Sequence, residues 1–193
     1  TSGFRETLGG YYKKFSVIPD ILIYGKALGN GYPITTVLSK RKFFNVASKT
    51  FISSTFWSEG VGPTAALKTI ELMERKKSWL LISQTGKYLK KRIKKLFLKH
   101  KIDGVIKGID AIIKIEFKTN NKLKIKYISQ EMLKKNILAG PNIFVSIAHK
   151  KNHIKKYLNT LDAILFKIKK HNDKLIKYID KRDLDDTEIK RFN

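Results

Sequence analysis

The chain has 193 residues, of which 42% are hydrophobic and 11% aromatic, a composition typical of a folded globular protein and not of a disordered one. Cysteine is absent, which excludes disulfides, thiolate metal sites and cysteine nucleophiles and is compatible with the cytoplasmic location that we expect. The formal net charge is +25, which excludes an acidic protein and raises the question of a polyanionic partner.

The positive charge comes almost entirely from lysine. Only six of the 41 basic residues are arginine, the side chain that best recognises phosphate and guanine, and the lysines are spread along the whole chain. We interpret them as a compositional bias and expect no specific nucleic-acid partner, and a lysine-rich polyanion-binding protein remains the alternative function. No apolar run approaches the roughly 18 residues of a membrane span, so we expect no membrane partner.

The first part of the chain predicts two short strands and a helix. The segment SVIPDILIYG predicts a short buried strand that ends at Gly25, and YPITTVLSK predicts a second strand. The segment GPTAALKTIELMERKKS predicts a helix with Pro63 at its first position. The helix residues expected to face a core are Ala66, Ile70 and Met73.

From residue 76 the pattern is that of a smaller α+β domain extending to about residue 170. A helix over 79–99 carries an apolar stripe among lysines, and a long helix closes the domain. Between them the pattern predicts a strand over Ile109–Lys118, a helix in YISQEMLKKN and a strand in NIFVSIA. Residues 171–193 are expected to form a helical C-terminal extension.

Lys26 is unusual because it lies between an apolar run and a glycine-rich turn, in DILIYGKALGNGYPI. At the end of a buried strand, partial desolvation would favour the neutral, nucleophilic amine that covalent catalysis requires. A phosphate-binding P-loop is excluded because its glycines precede the lysine and Ser or Thr follows it, whereas Ala27 follows here. The remaining alternative is a solvated lysine before an ordinary glycine turn.

Three ordered segments resemble the class III pyridoxal-phosphate aminotransferases, in the branch around glutamate-1-semialdehyde aminomutase. They are TSGFR, VIPDILIYGKALGNGYPI and STFWSEGVGPTAALKTIE. The resemblance implies an α/β fold: the C-terminal part of a fold-type-I large domain over residues 1–75, followed by the small α+β C-terminal domain over 76–170.

The resemblance also implies roles for particular residues. Lys26 would form the aldimine with pyridoxal 5′-phosphate and shuttle the substrate proton, and Thr55 would bind the cofactor phosphate of the partner subunit in a homodimer. Glu59 and Arg5 are weaker candidates for substrate contacts. No metal is expected, because His149 and His153 lack the glutamate of a zinc motif and have lysines between them.

The implied reaction moves an amino group between a small-molecule donor and a carbonyl acceptor, as an aminotransferase or an intramolecular aminomutase. The family aspartate that pairs with the cofactor's pyridine nitrogen would lie before Thr1. We therefore expect this chain alone to be inactive, and a truncated, non-catalytic remnant of the enzyme remains a further alternative.

Overall fold

The computed structural model describes residues 3–180. The chain divides into two compact units between Gln84 and Thr85. The boundary predicted after residue 75 lies within the first unit, and the assignment of the two units to the large and small domains of the family stays a prediction.

The first unit combines short helices with a two-stranded antiparallel sheet. Ile21 pairs with Ser39 and Tyr24 with Thr36, so the chain reverses direction through the segment that contains Lys26. The elements in order are α1 (Gly3–Glu6), β1 (Ile21–Tyr24), β2 (Thr36–Ser39), α2 (Arg41–Ala47), α3 (Val61–Lys76) and the beginning of α4 (Ser78–Lys99).

The core of the first unit joins α1, α3 and the turn that follows β1. Its buried members are Phe4, Leu28, Ala66 and Met73. Tyr24 packs edge-on against Phe4, with ring centroids 4.8 Å apart. Because Leu28 belongs to the turn, the core fixes the position of the chain immediately after Lys26.

The prediction that β1 is buried is wrong for this chain. Its side chains alternate between exposed and half-buried, and Ile21 and Ile23 are 53% and 69% exposed. The physical reason is that β1 pairs with β2 alone among the described residues. The strand predicted in YPITTVLSK forms, but only over Thr36–Ser39.

The second unit is a three-stranded antiparallel sheet with helices. The strand order is β3–β4–β5, and α5 contacts both β4 and α6. Beyond the rest of α4, its elements are β3 (Gly104–Ile109), β4 (Ile112–Phe117), α5 (Asn121–Leu133), β5 (Asn142–Phe144) and α6 (Lys151–His171), with a 3₁₀ segment at Asn172–Tyr178. Its fully buried side chains include Ile93, Ile113, Ile115, Met132, Leu161 and Leu165.

The predicted strand over 109–118 is the second arm of a hairpin. Its first arm, β3, was not predicted, because the glycines in GVIKGI weaken the strand pattern. The helix predicted in YISQEMLKKN begins earlier, at Asn121, whereas α6 lies where the pattern placed it.

The C-terminal extension over 171–193 is only partly covered. Leu175 and Ile179 are buried, and the 3₁₀ segment contacts α5 and α6, whereas 181–193 lie outside the described residues. Within the described chain, none of the helices combines the length and the apolar character that crossing a bilayer requires.

Candidate functional site

Lys26 begins a 3₁₀ turn, Lys26–Leu28, directly after β1. The Leu28 N–H donates to the carbonyl of Gly25 (3.2 Å), and the Asn30 N–H donates to the carbonyl of Lys26 (3.1 Å). Both α1 and α3 contact this turn. The backbone of Lys26 is therefore held on both sides by hydrogen bonds and packing.

The backbone of Lys26 is in the left-handed region, with φ +50°. This conformation costs a residue with a β-carbon about 1–2 kcal/mol. The other non-glycine residues with positive φ within residues 3–180 are asparagines or lysines next to helix ends, namely Asn30, Lys77, Lys101, Asn120 and Asn136. Lys26 instead opens a turn after a strand, and strain of this kind often occurs at functional positions.

Gly29 is required by the close approach of the chain to itself. A β-carbon at this buried position would lie 2.2 Å from the carbonyl oxygen of Tyr32 and 2.7 Å from a methyl group of Ile34. The absence of a side chain at Gly29 therefore admits the chain's own backbone.

The side chain of Lys26 is exposed, so the desolvation expected from a buried strand is not found. One face of β1 packs through Tyr24 on Phe4, whereas Ile21 and Ile23 are exposed, and the Lys26 side chain likewise stays in solvent. Within residues 3–180, the amino group of Lys26 has no hydrogen-bond or ion-pair partner, although many lysines of the chain pair with carboxylates.

Glu59 caps the N-terminus of α3. One carboxylate oxygen accepts a hydrogen bond from the Val61 N–H (2.6 Å) and the other accepts one from the Gly62 N–H (3.0 Å). A carboxylate is favourable here because the first amides of a helix lack intrahelical partners and carry partial positive charge. Sequence reasoning missed this role, although an acidic residue just before a Gly-Pro helix start is the signal that indicates it. A substrate contact by Glu59 stays a prediction.

Thr55 lies in an exposed loop before α3, in which every side chain from residue 51 to 58 is exposed. Phe51 and Trp57 are 93% and 70% exposed. Within the described part of the chain the hydroxyl of Thr55 makes no hydrogen bond, so it is accessible to a ligand. The phosphate-binding role of Thr55 stays a prediction.

Arg5 is half-buried on α1, the helix that contacts the Lys26 turn. Burial lowers the pKa of its guanidinium from the usual value. The neighbouring Glu6 is buried and forms an ion pair with Lys14. These features explain a structural role for this segment, and a substrate contact by Arg5 stays a prediction.

Comparison with known proteins identifies the family. The model of the family "Aminotransferase class-III" matches residues 8–165. The chain belongs to the class III aminotransferases. The predicted family is thereby confirmed, and the polyanion hypothesis continues to depend on charge alone.

Two curated relatives differ in the reaction that their names describe. The chain is 34% identical over 146 residues to 3-aminobutyryl-CoA aminotransferase of Cloacimonas acidaminovorans, which covers 72% of this chain and 35% of that protein. It is 29% identical over 179 residues to glutamate-1-semialdehyde 2,1-aminomutase of Hyperthermus butylicus, and the match covers 83% of this chain and 42% of that protein. The chain thus spans less than half the length of these class III relatives.

Solved structures confirm the predicted fold-type-I fold. The PLP internal aldimine form of the FumI protein from Sphingopyxis sp. MTA144 superimposes with a TM-score of 0.82 at 22% identity, covering 92% of this chain and 43% of that one. An S-selective transaminase from Bacillus megaterium superimposes with a TM-score of 0.77 at 22% identity, covering 89% of this chain and 43% of that one.

Proposed function

We propose that this class III chain carries the lysine-bearing part of a pyridoxal-phosphate-dependent aminotransferase or aminomutase. The observation that supports this most directly is Lys26, whose amine is exposed and unpaired within residues 3–180 while its backbone is held in a strained left-handed turn. Membership of the class III aminotransferases and the likeness to the PLP internal aldimine form of the FumI protein support the same proposal.

The residues present fit this cofactor. Lys26 offers a reachable primary amine, and the exposed, unbonded hydroxyl of Thr55 can donate a hydrogen bond to a phosphate oxygen. Pyridoxal phosphate, when bound, supplies an aldehyde that binds amines covalently and a ring that withdraws electrons from the substrate's α-carbon.

In the proposed reaction, the Nζ atom of Lys26 has two roles. It would hold the cofactor's carbonyl carbon when the cofactor is bound, and as a free amine it would take a proton from the substrate's α-carbon and later return one to the substrate. A single amine suits both roles because it remains within reach after it is displaced. The strained backbone of Lys26 serves this positioning, since it fixes the direction in which the side chain leaves the turn.

We further propose that the whole protein is a homodimer in which Thr55 binds the phosphate in the partner subunit's site. The support is the exposed loop of residues 51–58, whose large apolar side chains would be covered by a second copy. The substrates would be a small-molecule amino donor and a carbonyl acceptor. The named relatives include an aminotransferase and an aminomutase, so the proposal covers transfer between two molecules and transfer within one.

We also propose that these 193 residues alone do not catalyse amino transfer. The support is the exposure of Lys26 and Thr55, which leaves both groups in bulk water, where the electrostatic control that catalysis requires is weak. Measuring the rate of amino transfer by this chain and by a full-length family member tests this proposal.

Borohydride reduction in the presence of pyridoxal phosphate tests the role of Lys26. The protein is reduced, digested and mapped by mass spectrometry for the stable pyridoxyl label. We expect the label on the peptide containing Lys26 and its loss in Lys26→Ala. Lys49→Ala, which removes another exposed lysine of the same unit, is expected to keep it. Labelling of another peptide at equal yield, or of none, would refute the proposal.

A further inference from the structure

The second unit contains a half-open cavity of about 400 Å³. It lies between the first turns of α6, the loop and strand over residues 136–144, and α4. Its apolar lining includes Leu89, which is 3% exposed, and the half-buried Ile137 and Ile154. This volume is in the range of small-molecule binding sites, which run from about 300 to 1,000 Å³.

The polar groups that line the cavity are neutral or basic. They include His149, His153 and Lys156, and among residues 3–180 no aspartate or glutamate lines the cavity. The first turn of α6 likewise carries no acidic residue, so its partial positive charge is uncompensated there. Within residues 3–180 no third metal-ligating side chain joins His149 and His153, which favours an anion over a cation.

Tyr157 supplies a hydrogen-bond donor at the cavity wall. It is half-buried, and within the described residues its hydroxyl has no hydrogen-bond partner. A phenol in such a position normally finds an acceptor. Desolvation raises the pKa of Tyr157 above its usual value, so the hydroxyl keeps its proton and can donate a hydrogen bond to a ligand.

We propose that this cavity binds a small amphipathic anion, a carboxylate on a compact apolar body. The apolar part would lie against Leu89 and Ile154, and the carboxylate would be bound by Lys156 and the hydroxyl of Tyr157. The inference depends only on the second unit and is independent of the function proposed for Lys26.

An NMR titration of the complete chain with 2-naphthoate tests this inference, with the uncharged 2-naphthalenemethanol as the matched ligand. We expect naphthoate to shift the amide signals of Ala139 and His153 in a saturable way and the alcohol to bind more weakly. In Lys156→Gln the dissociation constant should rise about three- to fivefold, the usual effect of one partly solvated charge. Lys155→Gln should leave it unchanged, because Lys155 is exposed on the same helix but does not line the cavity.

A cavity-filling variant gives a second measurement. Ala139→Phe should abolish binding of both ligands while its circular dichroism spectrum stays that of the unaltered chain. If Ala139→Phe does not fold, the dissociation constants of Lys155→Gln and Lys156→Gln for naphthoate test the proposal instead. Equal binding of acid and alcohol, equal weakening by Lys155→Gln and Lys156→Gln, or shifts spread over the lysine-rich surface would each overturn the proposal.

Discussion

Replacing Glu59 by glutamine is expected to destabilise the first unit through the start of α3. The substitution removes the negative charge and one of the two oxygens that accept the Val61 and Gly62 N–H groups, at 2.6 Å and 3.0 Å. Loss of a capping side chain costs about 0.5–2 kcal/mol, and loss of a charge at a helix N-terminus costs about 0.3–1 kcal/mol. Because Glu59 is half-buried, we expect a total of about 1–2 kcal/mol for Glu59→Gln.

Tryptophan fluorescence during urea unfolding measures this loss selectively, since both tryptophans, Trp57 and Trp79, lie in the first unit. The midpoint should fall by about 0.5–1 M urea at the m-values usual for small domains. Glu74→Gln is the matched control, because Glu74 is exposed near the C-terminus of the same helix, where a negative charge is unfavourable. A midpoint unchanged in Glu59→Gln, or lowered equally by Glu74→Gln, would refute the capping argument.

Two further predictions concern one residue in each unit. Gly29→Ala should destabilise the first unit by about 1–3 kcal/mol because its β-carbon would meet the Tyr32 carbonyl, whereas Gly60→Ala, which meets nothing within 4 Å, should change the fluorescence midpoint little. Asp162→Asn should cost the second unit on the order of 1 kcal/mol at pH 7, because Asp162 pairs with Lys99 at 2.7 Å and His100 at 2.5 Å. The Lys99 hydrogen bond is the main cause that lowers the pKa of Asp162, so the stabilisation is present above the usual value of about 3.8 and is lost as the pH falls through the lowered folded value. Unfolding followed by far-UV circular dichroism should therefore show that the stability difference between the unaltered chain and Asp162→Asn becomes smaller as the pH falls into the acid range. The exposed pair of Asp103 and Lys118 provides the control, and a cost in Asp103→Asn as large as in Asp162→Asn would contradict the prediction.

The long helices could be predicted from sequence because each carries its own apolar stripe. The pattern placed Leu89, Ile93, Leu96 and Phe97 of α4 on one apolar stripe; Leu89, Ile93 and Phe97 are buried and Leu96 is half-buried. The hairpin of the second unit was only half predicted, because Gly104 and Gly108 make the first arm a poor strand pattern. Gly108 is required near the end of β3, since it has φ +84° and its β-carbon would lie 2.3 Å from the Ile112 carbonyl.

The candidate site shows a different limit of sequence reasoning. The glycine turn after β1 could be predicted because the glycines of GKALGNG weaken helix and strand and permit the backbone angles of a turn. The burial of β1 could not be predicted in the same way. An apolar run indicates that a strand tends to be buried, but it does not indicate whether another element is present to cover it. Glu59 illustrates the same point: its acidic character was visible, but its two backbone partners depend on where α3 begins, two residues before Pro63.

Two requirements of a catalytic lysine, position and a dry environment, are separable in this chain. Position is provided locally, because the buried Leu28, the close-packed Gly29 and the contact of the turn with α3 hold Lys26 at φ +50°. A dry environment is not provided, because Lys26 is exposed and β1 has an open face. Atoms that residues 3–180 do not supply, those of the cofactor included, must therefore surround the amine before the proposed chemistry can occur.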